Sequence, residues 1–137
     1  MNVFVDTSVW SLALRRDAPR RGPEVDYLAV HLESGGLVFT TGLVLQELLQ
    51  GLAGPKDRGL IMKRFGALPF LQPDRRDHVE AAALKNDCRS KGVQVGTIDA
   101  LFAQLCIRHG LVMLTADADF AAVARHSRLA VWQAGVA

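Results

Sequence analysis

Short uninterrupted apolar runs alternate along this chain with stretches that are apolar on one side only. That alternation limits its possible folds more than any other feature. Asn2–Val5, Leu37–Thr40, Leu111–Leu114 and Leu129–Trp132 read as buried strands. Helical spacing is expected over Val9–Leu14, Glu24–Ser34, Leu43–Leu52, Asp57–Leu68, Asp74–Lys91, Thr97–His109 and Phe120–Arg125. Phe70-Leu71 reads as a short strand or a linker, and Arg15–Pro23, broken by Pro19, Gly22 and Pro23, as a loop. The expected buried faces are Val25, Leu28, Ala29 and Leu32 on one helix and Val44, Leu45, Leu48, Leu49 and Leu52 on the next. Val79, Ala82, Ala83 and Asn86 line one side of the longest helix, and Ile98, Leu101, Phe102, Leu105 and Ile107 mark the following one. Strands apolar on both faces, separated by amphipathic helices, predict an α/β fold: a mainly parallel sheet with helices on both sides.

The chain has 137 residues, which suits one domain spanning 1–137, and half of them are hydrophobic, enough to build a core. A formal net charge of +2 is too balanced to argue for nucleic-acid binding by itself. Cys88 and Cys106 have neither the spacing of a metal site nor that of a redox pair, and are expected as reduced, buried thiols. The opening Met-Asn-Val-Phe-Val-Asp has no basic region and no long apolar run, so no signal peptide is expected. No apolar stretch approaches the roughly 20 residues that a membrane span needs. The expectation is a cytoplasmic protein.

Ligands of open parallel sheets bind beyond the carboxyl ends of the strands. Asp6 follows the first strand directly, and Asp117 and Asp119 follow the Leu111–Leu114 strand, so these acids share one edge of the sheet. Each has an ordinary alternative. Asp6 and Asp117 suit helix N-caps, and Asp99 and Asp119 suit first turns, where the helix dipole favours an anion. Glu47 falls beside the apolar face of its helix, where an isolated glutamate is usually a surface residue. The combination points further. Acids gathered on one rim repel one another unless a proton or a cation intervenes. Oxygen ligands, without a cysteine or histidine pair, select Mg²⁺ or Mn²⁺ over zinc.

Four segments resemble the motifs of PIN-domain ribonucleases, above all the VapC toxins of bacterial VapBC toxin–antitoxin pairs. They are Val-Phe-Val-Asp6-Thr7-Ser8-Val-Trp, Thr41-Gly-Leu-Val-Leu-Gln-Glu47-Leu, Thr97-Ile98-Asp99-Ala100-Leu101-Phe102-Ala103 and Leu114-Thr115-Ala116-Asp117-Ala118-Asp119-Phe120. The resemblance covers essentially the whole chain. It implies a three-layer α/β/α sandwich of the PIN type and a catalytic, metal-binding cluster of Asp6, Glu47, Asp99 and Asp117, with Asp119 as a further ligand. It also implies hydroxyls at Thr7, Ser8, Thr97 and Thr115 that support the metal-binding acids or contact phosphate, with plain N-capping the alternative for Thr97. The implied activity is Mg²⁺-dependent endonucleolytic hydrolysis of RNA, and the implied partners are a cognate VapB-like antitoxin and a second copy of the chain.

Arg15, Arg16, Arg20 and Arg21 cluster after the first helix, where they could meet RNA phosphates or an acidic antitoxin segment. Lys63-Arg64 and Arg75-Arg76 fit a solvated surface better. Trp10 and Phe65 suit core or interface, with core preferred. Two other classes stay open. One is a non-catalytic RNA-binding or scaffold module. The other is a receiver-type phosphoacceptor domain, disfavoured because no lysine occurs after Lys91 and Asp99 sits in a helical pattern. No glycine-rich phosphate loop follows the first strand, which argues against a nucleotide-binding dehydrogenase.

Overall fold

The computed structural model describes residues 1–15, 22–51 and 54–135. Its elements run β1 (Val3–Val5), α1 (Thr7–Leu14), α2 (Pro23–Glu33), β2 (Val38–Thr41), α3 (Gly42–Gln50), α4 (Pro55–Phe65) and β3 (Phe70–Leu71). They continue with α5 (Arg75–Ser90), α6 (Thr97–His109), β4 (Val112–Leu114), α7 (Asp119–Arg125) and β5 (Ala130–Val131). The five strands form one sheet in the order β3-β2-β1-β4-β5, and every pairing is parallel. Phe70-Leu71 is therefore a strand, at one edge of the sheet.

Parallel neighbours require crossovers, and these are right-handed almost without exception. The strand order then places α1 to α4 over one face and α5, α6 and α7 over the other. The packing agrees: α1 touches α2 and α3, α3 touches α4, and α5 lies along α6. This is the expected three-layer arrangement. Val3, Phe4 and Val5 are wholly buried because β1 is central and covered on both sides. Phe4 meets Phe102 of α6 with ring centroids 5.3 Å apart. Trp10 and Phe65 pair at 5.0 Å and are both buried, so they are core residues.

Two helix faces differ from the expected ones. On α2 the structure buries Val25, Leu28 and His31, and leaves Leu32 42 % exposed. His31 turns inward because a ring nitrogen bonds the Leu37 carbonyl at 3.0 Å. Gly36 makes room for that ring, since a Cβ there would fall 2.3 Å from it. On α5 the buried stripe is Asp77, Ala81 and Cys88, whereas Val79, Ala82, Ala83 and Asn86 face solvent. This polar helix packs chiefly on α6, and an ion pair from α6 to Asp77 sets its rotation.

That ion pair is one part of a clamp. Asp74 and Asp77 form a reciprocal capping box at the start of α5. Arg108 near the end of α6 bonds the wholly buried Asp77 and lies 3.3 Å from Asp74. The Asp77 amide and Arg108 hold the Asp74 carboxyl below its ordinary range. Lys85 of α5 donates to the Val95 carbonyl in the loop before α6. Gly110, at φ 63°, adopts the left-handed conformation that ends α6 and turns the chain into β4. Cys88 and Cys106 are buried free thiols. No helix among the described residues is long and apolar enough to cross a membrane.

Candidate active site

Chain direction decides which residues meet. β1 ends at Val5 and β4 at Leu114, on the same side of the sheet, because the two strands are parallel neighbours with Val5 opposite Leu114. Beyond β1 the connections pass to one side of the sheet, and beyond β4 to the other, so a crevice opens between these two ends. Asp6 stands at the first end and Thr115 to Asp117 at the second. α6 leads back to the start of β4, so its own start, carrying Asp99, lies on the same rim. α3 begins at the rim after β2, and Glu47 projects from its second turn.

Asp6 is 4 % exposed and caps α1 while serving the rim. Its Oδ1 accepts from the Ser8 hydroxyl at 2.6 Å and the Val9 amide at 3.3 Å, and its Oδ2 from the Thr115 hydroxyl at 2.6 Å. Burial pushes its pKa upward, these donors pull it back and the charge on Asp117 adds to the rise, so that the carboxyl sits above its ordinary range. A carboxylate has about four acceptor directions, two on each oxygen. Three are filled here by the described residues, and the one left is on Oδ2.

Asp99 contrasts with it. Among the described residues nothing hydrogen-bonds its carboxyl. Its pKa is raised to about 6, first by burial and then by repulsion from Asp117, Asp6, Glu47 and Asp119. All the other acids expected at the site thus act on this one group. Glu47 is half-buried and accepts from the Thr7 hydroxyl at 2.7 Å, 40 residues away in sequence. Asp117 Oδ1 accepts from the Asp119 amide at 2.9 Å and so shapes the start of α7, while Asp119 itself is exposed.

Thr7, Ser8 and Thr115 all engage acids. The Thr97 hydroxyl makes no hydrogen bond among the described residues. Thr97 is also not the N-cap of α6, because Gly96 holds that place. Arg15 lines a cleft of about 390 Å³ together with Ser11, Leu14, Glu47, Leu48, Gly51 and Ile61. Arg16, Arg20 and Arg21 lie outside the described residues. Lys63 and Arg64 end α4, which runs into the start of β3, so they sit at the far end of the sheet from the acids. Arg76 pairs with Glu80 on the exposed side of α5. Lys85 and Arg108, which clamp the helix that carries Asp99, belong to none of the four motifs. The acidic pair at Asp74 and Asp77, three residues apart, was the available signal.

Among the described residues no group of three His, Cys, Asp or Glu side chains is already placed to enclose a metal ion. The set is thus looser than the tight cluster expected from sequence. It still fits one kind of ion. The donors are all hard oxygens, a lone pair on Asp6 Oδ2 is open, and burial together with repulsion from the other acids raises the pKa of Asp99. A small hard cation keeps much of its water and needs only one or two direct carboxylates. Thiol chemistry does not fit, because burial and then the Asp6 charge push the Cys106 thiol far up in pKa.

The PIN domain family model matches residues 3–126. Ribonuclease VapC11 of Mycobacterium tuberculosis is 30% identical over 129 residues, covering 93% of this chain and 95% of the relative. Among solved structures, VapBC2 from Rickettsia felis bound to a promoter DNA fragment superposes with a TM-score of 0.75 at 17% identity, over 96% of this chain and 98% of that one. VapC20 of Mycobacterium tuberculosis, a toxin that cleaves the sarcin-ricin loop, superposes with a TM-score of 0.69 at 20% identity, over 93% and 98%.

Proposed function

The chain belongs to the PIN domain family, and on that premise we propose that it is a metal-dependent endoribonuclease of the VapC toxin type, one domain over residues 1–137, restrained by a cognate antitoxin. The observation that carries this reading is the gathering of Asp6, Glu47, Asp117 and Asp119 on one rim around Asp99, whose carboxyl has no hydrogen-bond donor among the described residues. That carboxyl is raised to about 6 by burial and by repulsion from Asp117, Asp6, Glu47 and Asp119. Such a rim is of little use to a scaffold, and it suits a site that recruits a hard cation and a phosphate.

Asp6 through Oδ2, Asp99 and Asp117 would hold Mg²⁺, or Mn²⁺ as the alternative, with Glu47 and Asp119 assisting. When bound, the ion would supply water activation and polarisation of the scissile phosphate. The residues of the chain supply the rest. Ser8, Thr115 and the Val9 amide aim Asp6 and favour its charged form against the cost of burial, because each donates to its carboxylate. Thr7 orients Glu47. Arg15, beside Glu47 in the cleft, brings positive charge to a rim that would otherwise repel RNA. Hydrolysis by water leaves a 5′-phosphate and a 3′-hydroxyl, and needs no RNA 2′-hydroxyl at the cleaved bond.

The relatives named VapBC carry their toxin with an antitoxin. For this chain, the cleft between α1 and α3 lets an antitoxin segment lie against Arg15 and reach Glu47. Apolar side chains left exposed at Phe70, Val79 and Ile98 suit pairing with a second copy. The setting for an RNA target is cytoplasmic.

The test is expression in a bacterial host with transcriptome-wide mapping of new 5′ ends, beside Asp99→Asn. New 5′-phosphate ends that vanish in Asp99→Asn, and in vitro on removal of divalent ions, support the reading. Identical maps from both chains, or products with a 2′,3′-cyclic phosphate, overturn it.

A further inference from the structure

We propose that Ser8 and Thr115 are positioning residues that fasten the turn carrying Asp117 to the carboxylate of Asp6. Their hydroxyls, and not the backbone alone, would then set the spacing of the two acids. The inference rests on the nuclease reading of the rim and assigns these side chains a role other than phosphate contact.

A hydroxyl has one proton to give and about two lone pairs with which to accept. Ser8 gives its proton to Asp6 Oδ1 at 2.6 Å, and its Oγ accepts the Ala116 amide at 3.0 Å. Thr115 gives its proton to Asp6 Oδ2 at 2.6 Å, and its Oγ1 accepts the Asp117 amide at 3.0 Å. The two hydroxyl oxygens lie 3.4 Å apart. Both protons are committed to the same carboxylate, so neither hydroxyl is free to donate to a phosphate oxygen.

The turn has little else to hold it. Among the described residues neither the Ala116 nor the Asp117 amide has a backbone partner. Two consecutive amides therefore hang on two hydroxyls, and Asp6 orients both hydroxyls. Asp6 and Asp117 are separated by more than a hundred residues of sequence but by a single layer of side chains. A donor–acceptor relay of this kind transmits placement, because each hydroxyl can accept from the turn only when its own proton points away, toward Asp6.

The test measures three quantities in Ser8→Ala, Thr115→Val and Thr115→Ser. These are amide hydrogen exchange at Ala116 and Asp117 in metal-free protein, Mn²⁺ affinity by calorimetry, and kcat and KM on an RNA that the unaltered chain cleaves. Ser8→Ala should speed exchange at Ala116, and Thr115→Val at Asp117. Each should weaken Mn²⁺ binding by about 10–100-fold and lower kcat with KM nearly unchanged. Thr115→Ser keeps the hydroxyl and should restore all three.

Unchanged exchange and Mn²⁺ affinity with a raised KM would overturn the proposal and make the hydroxyls phosphate contacts. If Thr115→Val does not fold, Ser8→Ala against Thr115→Ser decides in the same way. If the unaltered chain neither takes up Mn²⁺ nor cleaves RNA, the nuclease reading fails, and the exchange measurements still decide whether the two hydroxyls fasten the turn.

Discussion

Asp6 and Asp99 face the same rim in opposite circumstances. Asp6 is almost fully buried, yet the Ser8 and Thr115 hydroxyls and the Val9 amide all donate to its carboxylate. Asp99 is less enclosed, has no donor among the described residues and is repelled by four other acids. The difference lies in how each is held. Asp6 sits at a strand end where two turns cross and their hydroxyls converge. Asp99 sits on the first turn of a helix held from behind, through Lys85 and Arg108, by contacts that never touch its carboxyl. One acid is satisfied by the protein, and the other is left to be satisfied by something from outside it.

The largest expected effect tests whether both acids are needed. Asp6→Asn and Asp99→Asn should each reduce RNA cleavage by about 10²–10³-fold, the range for losing one electrostatic partner of a reaction, read as initial rates on a labelled RNA. Should Asp99→Asn retain full activity, the asymmetry would have no catalytic meaning.

Next is the support behind Asp99. Arg108→Met leaves the wholly buried Asp77 without its cation. Removing one partner of a buried pair is strongly destabilising, but Arg108 is 41% exposed, so solvent reduces the loss to about 1–3 kcal/mol. Urea denaturation measures it. Exchange at the Ala116 and Asp117 amides should stay unchanged well below the midpoint, since the Asp6 side does not depend on this clamp.

A smaller effect separates the two acids by pH. The Asp99 carboxyl is raised in the folded chain from 3.8 to about 6, so the folded state binds its proton more tightly than the unfolded one. Its contribution to stability is therefore fully present below about pH 4 and is lost as pH rises through about 6. Without divalent ions, the melting temperature of Asp99→Asn relative to the unaltered chain should climb between pH 4.5 and 7.5. A difference that stays constant with pH would contradict this. Added Mg²⁺ should stabilise the unaltered chain more at pH 7.5 than at pH 5.

The smallest effect concerns Glu47. Thr7→Val removes the donor to Glu47 Oε1. It should slow cleavage by only about 3–10-fold, the loss of one net hydrogen bond of about 1 kcal/mol, measured on the same RNA.

Local rules carried the sequence reading a long way. Strand runs that are apolar on both faces can be covered only in a layered sheet, so β1, β2 and β4 and the parallel architecture follow from Val3–Val5, Val38–Thr41 and Val112–Leu114. Asp6 and Asp117 could be placed at strand ends for the same reason. Rotation of a helix about its own axis was less accessible. On α5 the buried side is fixed by Arg108 reaching Asp77 from another helix, and on α2 by His31 folding under Gly36. Neither contact leaves a mark in the spacing of apolar residues.

Periodicity alone also left Glu47 on the surface, and only its resemblance to a family motif suggested more. In the fold, Thr7 lies 2.7 Å from it. Sequence determined which residues can carry charge and which edge of the sheet they reach, because strand direction and helix start are encoded locally. Tertiary structure decided which of those charges are satisfied. The hydrogen-bond donor to Asp6 Oδ2 comes from Thr115, 109 residues away, and the repulsion on Asp99 comes from four acids on three separate segments. Those are distances between parts of the chain that only packing brings together.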